Sequence, residues 1–227
     1  MTSPKAGKSK ILSQPDFARL RSAMVDSQLR PNSVTQPAVV DAFLTVPRED
    51  YVPAAKATFA YHDEDIEVAP GRFLLEPLTT GRLIAESNVR AGERVLVVGG
   101  VTGYSAALLA HMGAHVTMVE EDGLAAEAAA RLSGTAGVDV VTGDLSSGHA
   151  DAAPYDLVIV EGTVPGVPDK LIAQVKDDGR IAAIVMHEGS PRAGIGRVHG
   201  GHVGWSFYTE AYVPVLPGFA QKREFVF

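Results

Sequence analysis

The stretch Val95-Leu96-Val97-Val98-Gly99-Gly100-Val101-Thr102-Gly103-Tyr104 decides how the rest of the chain is read. Four consecutive apolar residues predict a buried parallel strand, the glycines predict a turn, and residues 105–112 (SAALLAHM) predict a helix. A strand feeding a glycine turn feeding a helix gathers backbone N–H groups around a ligand at the positive end of the helix dipole. Glycine serves such a turn by reaching φ > 0 and by letting a ligand touch bare backbone. The next apolar run, residues 116–119, ends at Glu120. An acid about 20 positions past the first glycine has the spacing at which a carboxylate accepts both hydroxyls of a ribose. These features together predict a site for a nucleoside-containing cofactor.

Working outward, strands are predicted at 95–98, 116–119, 138–141, 156–160 and 180–186, with helices between them at 105–112, 124–132 and 169–176. Apolar strands alternating with helices predict a parallel sheet covered on both faces. Beyond Met186 the pattern changes. Residues 190–201 read as a glycine-rich loop carrying Arg192, Arg197 and His199, residues 205–213 as a long strand and 224–227 as a short one. Two late strands without an intervening helix predict an antiparallel pair at the sheet edge. Upstream, helices are predicted over 14–30 (apolar at Phe17, Leu20, Met24, Val25 and Leu29), 36–46 (Val39, Val40, Phe43 and Leu44 buried) and 78–88. Between the last two, prolines punctuate an irregular segment with the acidic run His62-Asp63-Glu64-Asp65, which reads as solvated surface.

The composition sets the bounds. At 227 residues, 46% of them apolar, the chain has material for one globular unit with a sizeable core. We expect a flexible tail over 1–13, a helical and irregular cap layer over 14–90 and an α/β cofactor domain over 91–227. A net charge of −7 without a basic cluster disfavours nucleic acid as a partner. The absence of cysteine removes disulfides, thiolate metal sites and thiol nucleophiles, and suits a reducing cytoplasm. The basic first residues lack a following apolar segment, so no leader or membrane span is expected. His111 and His115 are four apart, but Gly113 ends the helix between them, and no metal site is expected. Trp205, Phe207 and Tyr208 read as edge packing.

Seven strands, the last two antiparallel, with a glycine turn after the first and an acid after the second, match the Rossmann-like class I methyltransferase architecture. The spacing of Gly99, Gly100 and Gly103 departs from the G-x-G-x-x-G that a dinucleotide pyrophosphate needs, whereas S-adenosylmethionine has no phosphate. Further motifs sharpen this. The opening Met24-Val25-Asp26-Ser27-Gln28-Leu29, the Val46-Pro47-Arg48-Glu49-Asp50-Tyr51-Val52-Pro53 element, Gly143-Asp144, the Tyr155–Val160 strand and Leu171-Ile172-Ala173-Gln174-Val175-Lys176-Asp177-Asp178-Gly179-Arg180 resemble the protein-L-isoaspartate O-methyltransferases. The ordered resemblance runs from about Met24 to Arg180.

The resemblance implies an S-adenosylmethionine-dependent O-methyltransferase acting on a carboxylate, of an isoaspartyl protein or peptide or of a diverged acceptor, a small molecule among the alternatives. It implies cofactor contacts at Gly99, Gly100, Val101, Gly103, Tyr104, Glu120, Gly143, Asp144 and Leu145, with Glu120 on the ribose and Asp144 with Leu145 on the adenine. The alternative is a descendant of the family that keeps the fold and has lost the reaction.

Two departures stand out. Val101 occupies the middle of the turn, where the family has glycine, and a β-branched residue reaches φ > 0 with difficulty. Where the family reads Gly-Gln-Thr-Ile-Ser-Gln-Pro, this chain reads Gly71-Arg72-Phe73-Leu74-Leu75-Glu76-Pro77, so the active-site hydroxyl falls on Leu75. Leu75, Glu76, Thr79 and Thr80 are therefore the candidate acceptor-pocket residues, and no catalytic residue is assigned.

Overall fold

The computed structural model describes residues 15–219. Its centre is a seven-stranded sheet made of β3 (Arg94–Val98), β4 (His115–Glu120), β5 (Val138–Thr142), β6 (Tyr155–Val164), β7 (Val175–His187), β8 (Ser190–His199) and β9 (His202–Glu210), in the order β5-β4-β3-β6-β7-β8-β9. The first five strands are parallel, and β8 and β9 add antiparallel to one edge. A separate hairpin, β1 (Ile66–Ala69) with β2 (Arg72–Leu74), precedes helix α3 (Pro77–Ser87).

The chain winds from β3 to β4 and β5 on one side, then returns to β6 and β7 on the other. The order reverses between β3 and β6, and open α/β sheets bind ligands at the carboxyl ends of the strands beside such a switch point. Val98 lies beside Val160 there, which brings Gly99 and Glu161 to the same edge of the sheet.

Alternate residues of the apolar strands serve two cores. Val95, Val97, Met118, Leu157 and Ile159 pack with α3, α4 (Tyr104–His111) and the N-terminal helices α1 (Phe17–Met24) and α2 (Pro37–Thr45). Leu96, Val98, Val158, Val160 and Ile181 pack on the other face with Leu145, Leu171, Leu216 and Phe219. Helix α5 (Asp122–Arg131) and the one-turn helix α6 (Asp169–Ile172) complete the layers. Among the described residues, no helix is long and apolar enough to cross a membrane.

Several sequence expectations are corrected. Residues 190–199 form a strand rather than a loop, because Gly194 and Gly196 lie opposite Phe207 and Trp205, whose rings cover them. A Cβ on Gly194 would stand 2.6 Å from the Phe207 ring, and one on Gly196 3.2 Å from Trp205, so glycine here serves close cross-strand packing. The antiparallel edge is consequently β8 with β9, and β9 ends at Glu210 rather than 213. The strand expected at 224–227 and the tail over 1–13 lie outside the described residues. The helix expected over 169–176 stops at Ile172, since Val175 already pairs with Tyr155. The first helix passes into a π-turn over Val25–Leu29 and a 3-10 turn over Arg30–Asn32, and Leu20 is exposed. In α2 it is Ala42, not Leu44, that joins the core.

Arg48, in the Val-Pro-Arg element, is fully buried and ties separate parts of the N-terminal layer together, against the Tyr104 ring of α4. Its Nε donates to the Ala60 carbonyl at 2.7 Å, its Nη2 to the Leu75 carbonyl at 2.6 Å, and its guanidinium lies 5.0 Å from the centre of the Tyr104 ring. Arg48→Met keeps most of the apolar stem and withdraws both donors. Each bond from a charged donor contributes roughly 1.5–3 kcal/mol, so urea unfolding should show a loss of about 3 kcal/mol or more. A loss below about 1 kcal/mol would mean that the two carbonyls find other donors.

Candidate active site

The candidate cofactor residues do converge. Gly99, Gly100, Val101 and Gly103 leave β3, Glu120 ends β4, and Gly143, Asp144 and Leu145 follow β5, three neighbouring strands at their carboxyl ends. The turn has the left-handed backbone that the sequence calls for, with φ of 75° at Gly99 and 95° at Gly103. Val101 adopts it too, at φ 46°, although it is β-branched. Two contacts hold it: its side chain is buried in the core, and its N–H donates to Glu120 Oε2 at 2.9 Å. The expectation that valine would resist this conformation is overturned by those contacts.

Glu120 has no exposed surface, and its oxygens are already engaged. Oε1 accepts from the Glu121 N–H at 2.7 Å. Besides Val101, Oε2 accepts from Arg72 Nη2 at 2.7 Å. Arg72 reaches it from the β1–β2 hairpin, itself buried, and its Nη1 donates to Glu121 Oε2 at 2.8 Å. The carboxylate predicted to hold a ribose therefore holds a guanidinium.

The glycines are likewise covered by the chain. A Cβ on Gly99 would stand 3.0 Å from Leu216, and one on Gly162, near the end of β6, 2.5 Å from the same side chain. Gly100 and Gly103 face Val97 and Leu132, which a Cβ would approach to 2.8 and 2.5 Å. Leu216 belongs to residues 213–219, a segment laid across the strand ends and fastened at Thr163. Thr163 donates from N–H to the Pro214 carbonyl at 3.1 Å and from Oγ1 to the Val213 carbonyl at 2.7 Å, and its carbonyl accepts from the Leu216 N–H at 2.9 Å. The segment extends to Asp144, whose Oδ1 would lie 3.1 Å from a Cβ on Gly218.

Asp144 caps the short turn Leu145–Ser147, accepting from the Ser146 N–H at 3.1 Å and from the Ser147 hydroxyl at 2.5 Å. That Ser147 bond is the main reason its carboxyl titrates below the usual range. Leu145 is buried in the second core. Tyr104 is fully buried against Phe43, Tyr51 and Arg48, so its ring serves the core and not a ligand.

Three of the four acceptor candidates are divided between two cavities. Leu75 lines a cavity of about 10 Å³ with Arg72, Glu161, Gly162 and Leu216, room for no more than a water. Glu76 and Thr79 line another, of about 140 Å³, with Arg82 and Tyr208. The Thr79 hydroxyl donates to Glu76 Oε1 at 2.7 Å and that of Thr80 to the Leu75 carbonyl at 3.4 Å. Neither replaces the hydroxyl missing at Leu75. Pockets for small ligands and cofactors occupy about 300–1,000 Å³. In this conformation the crevice does not fit a nucleoside cofactor.

Sequence reading missed Arg72, Glu161 and Leu216 as site residues. Arg72 had a local signal, a cation where the family has glutamine. Glu161 is buried beside Leu75, near the guanidinium of Arg48. Close by, Arg48 Nη1 and Tyr104 Oη are buried with no hydrogen-bond partner among the described residues. Of the other candidates, His111 ends α4 and contacts Asp41 at 2.8 Å, while His115 begins β4.

Two solved structures share this fold. One, a protein-L-isoaspartate O-methyltransferase, superposes with a TM-score of 0.75 at 21% identity, covering 88% of this chain and 65% of its own. The other, a Plasmodium falciparum protein crystallised in complex with S-adenosyl-L-homocysteine, gives 0.75 at 14% identity, covering 89% and 99%. In sequence, residues 19–214 match the family model of protein-L-isoaspartate(D-aspartate) O-methyltransferase. The protein-L-isoaspartate O-methyltransferase of Koribacter versatilis is 36% identical over 178 residues, 77% of this chain and 79% of that protein. That of Methylorubrum extorquens is 38% identical over 169 residues, 74% of each. This chain belongs to the protein-L-isoaspartate(D-aspartate) O-methyltransferase family.

The buried acid makes a pH-dependent prediction. Burial pushes the Glu161 carboxyl up to about 7 from an ordinary 4.5, against the opposing pull of the Ser105 hydroxyl and then of Arg48. The folded value lies above the unfolded one, so the cost is absent below pH 4.5 and grows as pH rises towards 7. Glu161→Gln removes it. Its stability relative to wild type should therefore climb through that window by about 1.4 kcal/mol per unit of displacement and then level off. Urea unfolding at pH values of about 4.5, 6 and 8 measures this. A difference that does not vary with pH would show that Glu161 ionises normally.

Proposed function

We propose that this chain is an S-adenosylmethionine-dependent O-methyltransferase that esterifies a carboxylate, on an isoaspartyl protein or peptide or on a diverged acceptor. The observation that carries this reading is the family match across residues 19–214, which spans the turn, the strand-end acids and the acceptor loop. Gly99, Gly100, Val101, Gly103, Tyr104, Glu120, Gly143, Asp144 and Leu145 are the proposed cofactor residues, Tyr104 through its backbone alone. A cap over 14–90 above a cofactor domain over 91–227, and a cytoplasmic setting suited to a chain without cysteine, belong to the same proposal.

A carboxylate is already nucleophilic at neutral pH, so the protein's part is to orient it and exclude water. Leu75 gives the acceptor an apolar wall in place of a donor. Desolvating a carboxylate there without a partner costs several kcal/mol, on the order of 2 or more. Buried Glu161 beside it adds like-charge repulsion whenever it is ionised.

Wild-type protein should therefore methylate an isoaspartyl peptide slowly, and Leu75→Ser should raise the rate by about ten-fold through one hydrogen bond to the carboxylate. Transfer of a radiolabelled methyl group to an isoaspartyl peptide and to its aspartyl counterpart measures both. If neither protein methylates the isoaspartyl peptide under saturating S-adenosylmethionine, the acceptor is of another class.

A further inference from the structure

We propose that Arg72 and residues 213–219 form a displaceable closure over the cofactor crevice, so that S-adenosylmethionine and its product bind by expelling them. This rests on the reading above that the chain uses S-adenosylmethionine, and it accounts for a crevice that is present in outline and filled in fact.

The closure meets the proposed cofactor site at three places. Arg72 takes the outer oxygen of Glu120. Leu216 lies on both glycines that flank the switch point, Gly99 and Gly162. Gly218 stands against Asp144. One chain segment and one side chain from a distant hairpin thus cover the turn, the end of β4 and the end of β5 together. Packing elsewhere in the fold does not call for this coincidence, since the two sources are unconnected in sequence.

Each contact has a way out. Arg72 already bridges to Glu121, whose side chain is half exposed, so it can leave Glu120 without losing its counter-charge. Glu120 keeps the N–H groups of Val101 and Glu121 when Arg72 withdraws, and ribose hydroxyls can donate where the guanidinium did. Among the described residues, the segment's hydrogen bonds to the sheet edge converge on Thr163, and Val215 between them is half exposed. Releasing Thr163 breaks those hydrogen bonds together, and lifting Leu216 and Phe219 out of the second core completes the opening. A cofactor that binds only the open form binds with an affinity lowered by the fraction of molecules that are open.

The test uses the full chain and S-adenosyl-L-homocysteine as the probe. Calorimetric titration should give wild type a weaker affinity than Arg72→Gln or Leu216→Ala, by about ten-fold or more. Hydrogen exchange on wild type alone provides a second readout that needs no variant. The Leu216 amide, donating to Thr163, should exchange faster once the probe is bound. Binding to wild type as tight as to either variant, with the Leu216 amide equally or better protected, would overturn the closure and leave the cofactor reading standing. No binding to wild type or to folded variants would overturn both. Tighter binding by the variants with faster exchange in liganded wild type establishes the closure.

Discussion

The carboxylate of Glu120 sits at the end of a central strand without exposure, and its charge has to be met from within the protein. Two backbone N–H groups and the Arg72 guanidinium meet it. An ion pair so placed costs desolvation to form, but removing one partner strands the other charge at about 3–5 kcal/mol. The arrangement therefore fixes several things at once. It pins the turn after β3 through Val101, offsetting the roughly 1–2 kcal/mol that a valine loses in left-handed backbone. It also ties the β1–β2 hairpin to the sheet, and through that hairpin sets where Leu75 and the start of α3 lie.

Leu216 acts on the same crevice by different physics. Burying a leucine contributes roughly 1.5–3 kcal/mol, and its close approach requires bare backbone at Gly99 and Gly162. Glycines that a ligand would need for contact are here the seats of the chain's own side chains, with Val97 and Leu132 doing the same at Gly100 and Gly103. A glycine turn thus reports that something must come close. It does not report whether that something is a ligand or the protein.

Behind the crevice lies a second buried polar group centred on Arg48. Burial lowers the affinity of its guanidinium for the proton and raises that of Glu161, each partly opposed by the other's charge. Arg48 gains its place by bonding the Ala60 and Leu75 carbonyls, which belong to the layer above the sheet. The family's Val-Pro-Arg element is in this chain a structural bracket within that layer, joining the turn at Ala60 to the acceptor loop at Leu75.

The sequence by itself determined the alternation of strands and helices from β3 to β7, the turn after β3, and the acids at the ends of β4 and β5, because period, propensity and turn chemistry act over a few residues. It carried the family through motifs that are also local. It misread residues 190–199, where glycines suggested a loop, because the aromatic rings covering Gly194 and Gly196 come from the neighbouring strand. Tertiary structure alone decided what occupies the crevice. Arg72 meets a carboxylate 48 positions away, and Leu216 meets two glycines far upstream. No periodicity encodes such encounters, since they depend on how the hairpin and the segment after β9 fold back over the strand ends. The same chemistry that made Glu120 legible as an acceptor left its partner undetermined, because a guanidinium and a ribose satisfy a carboxylate by the same hydrogen bonds.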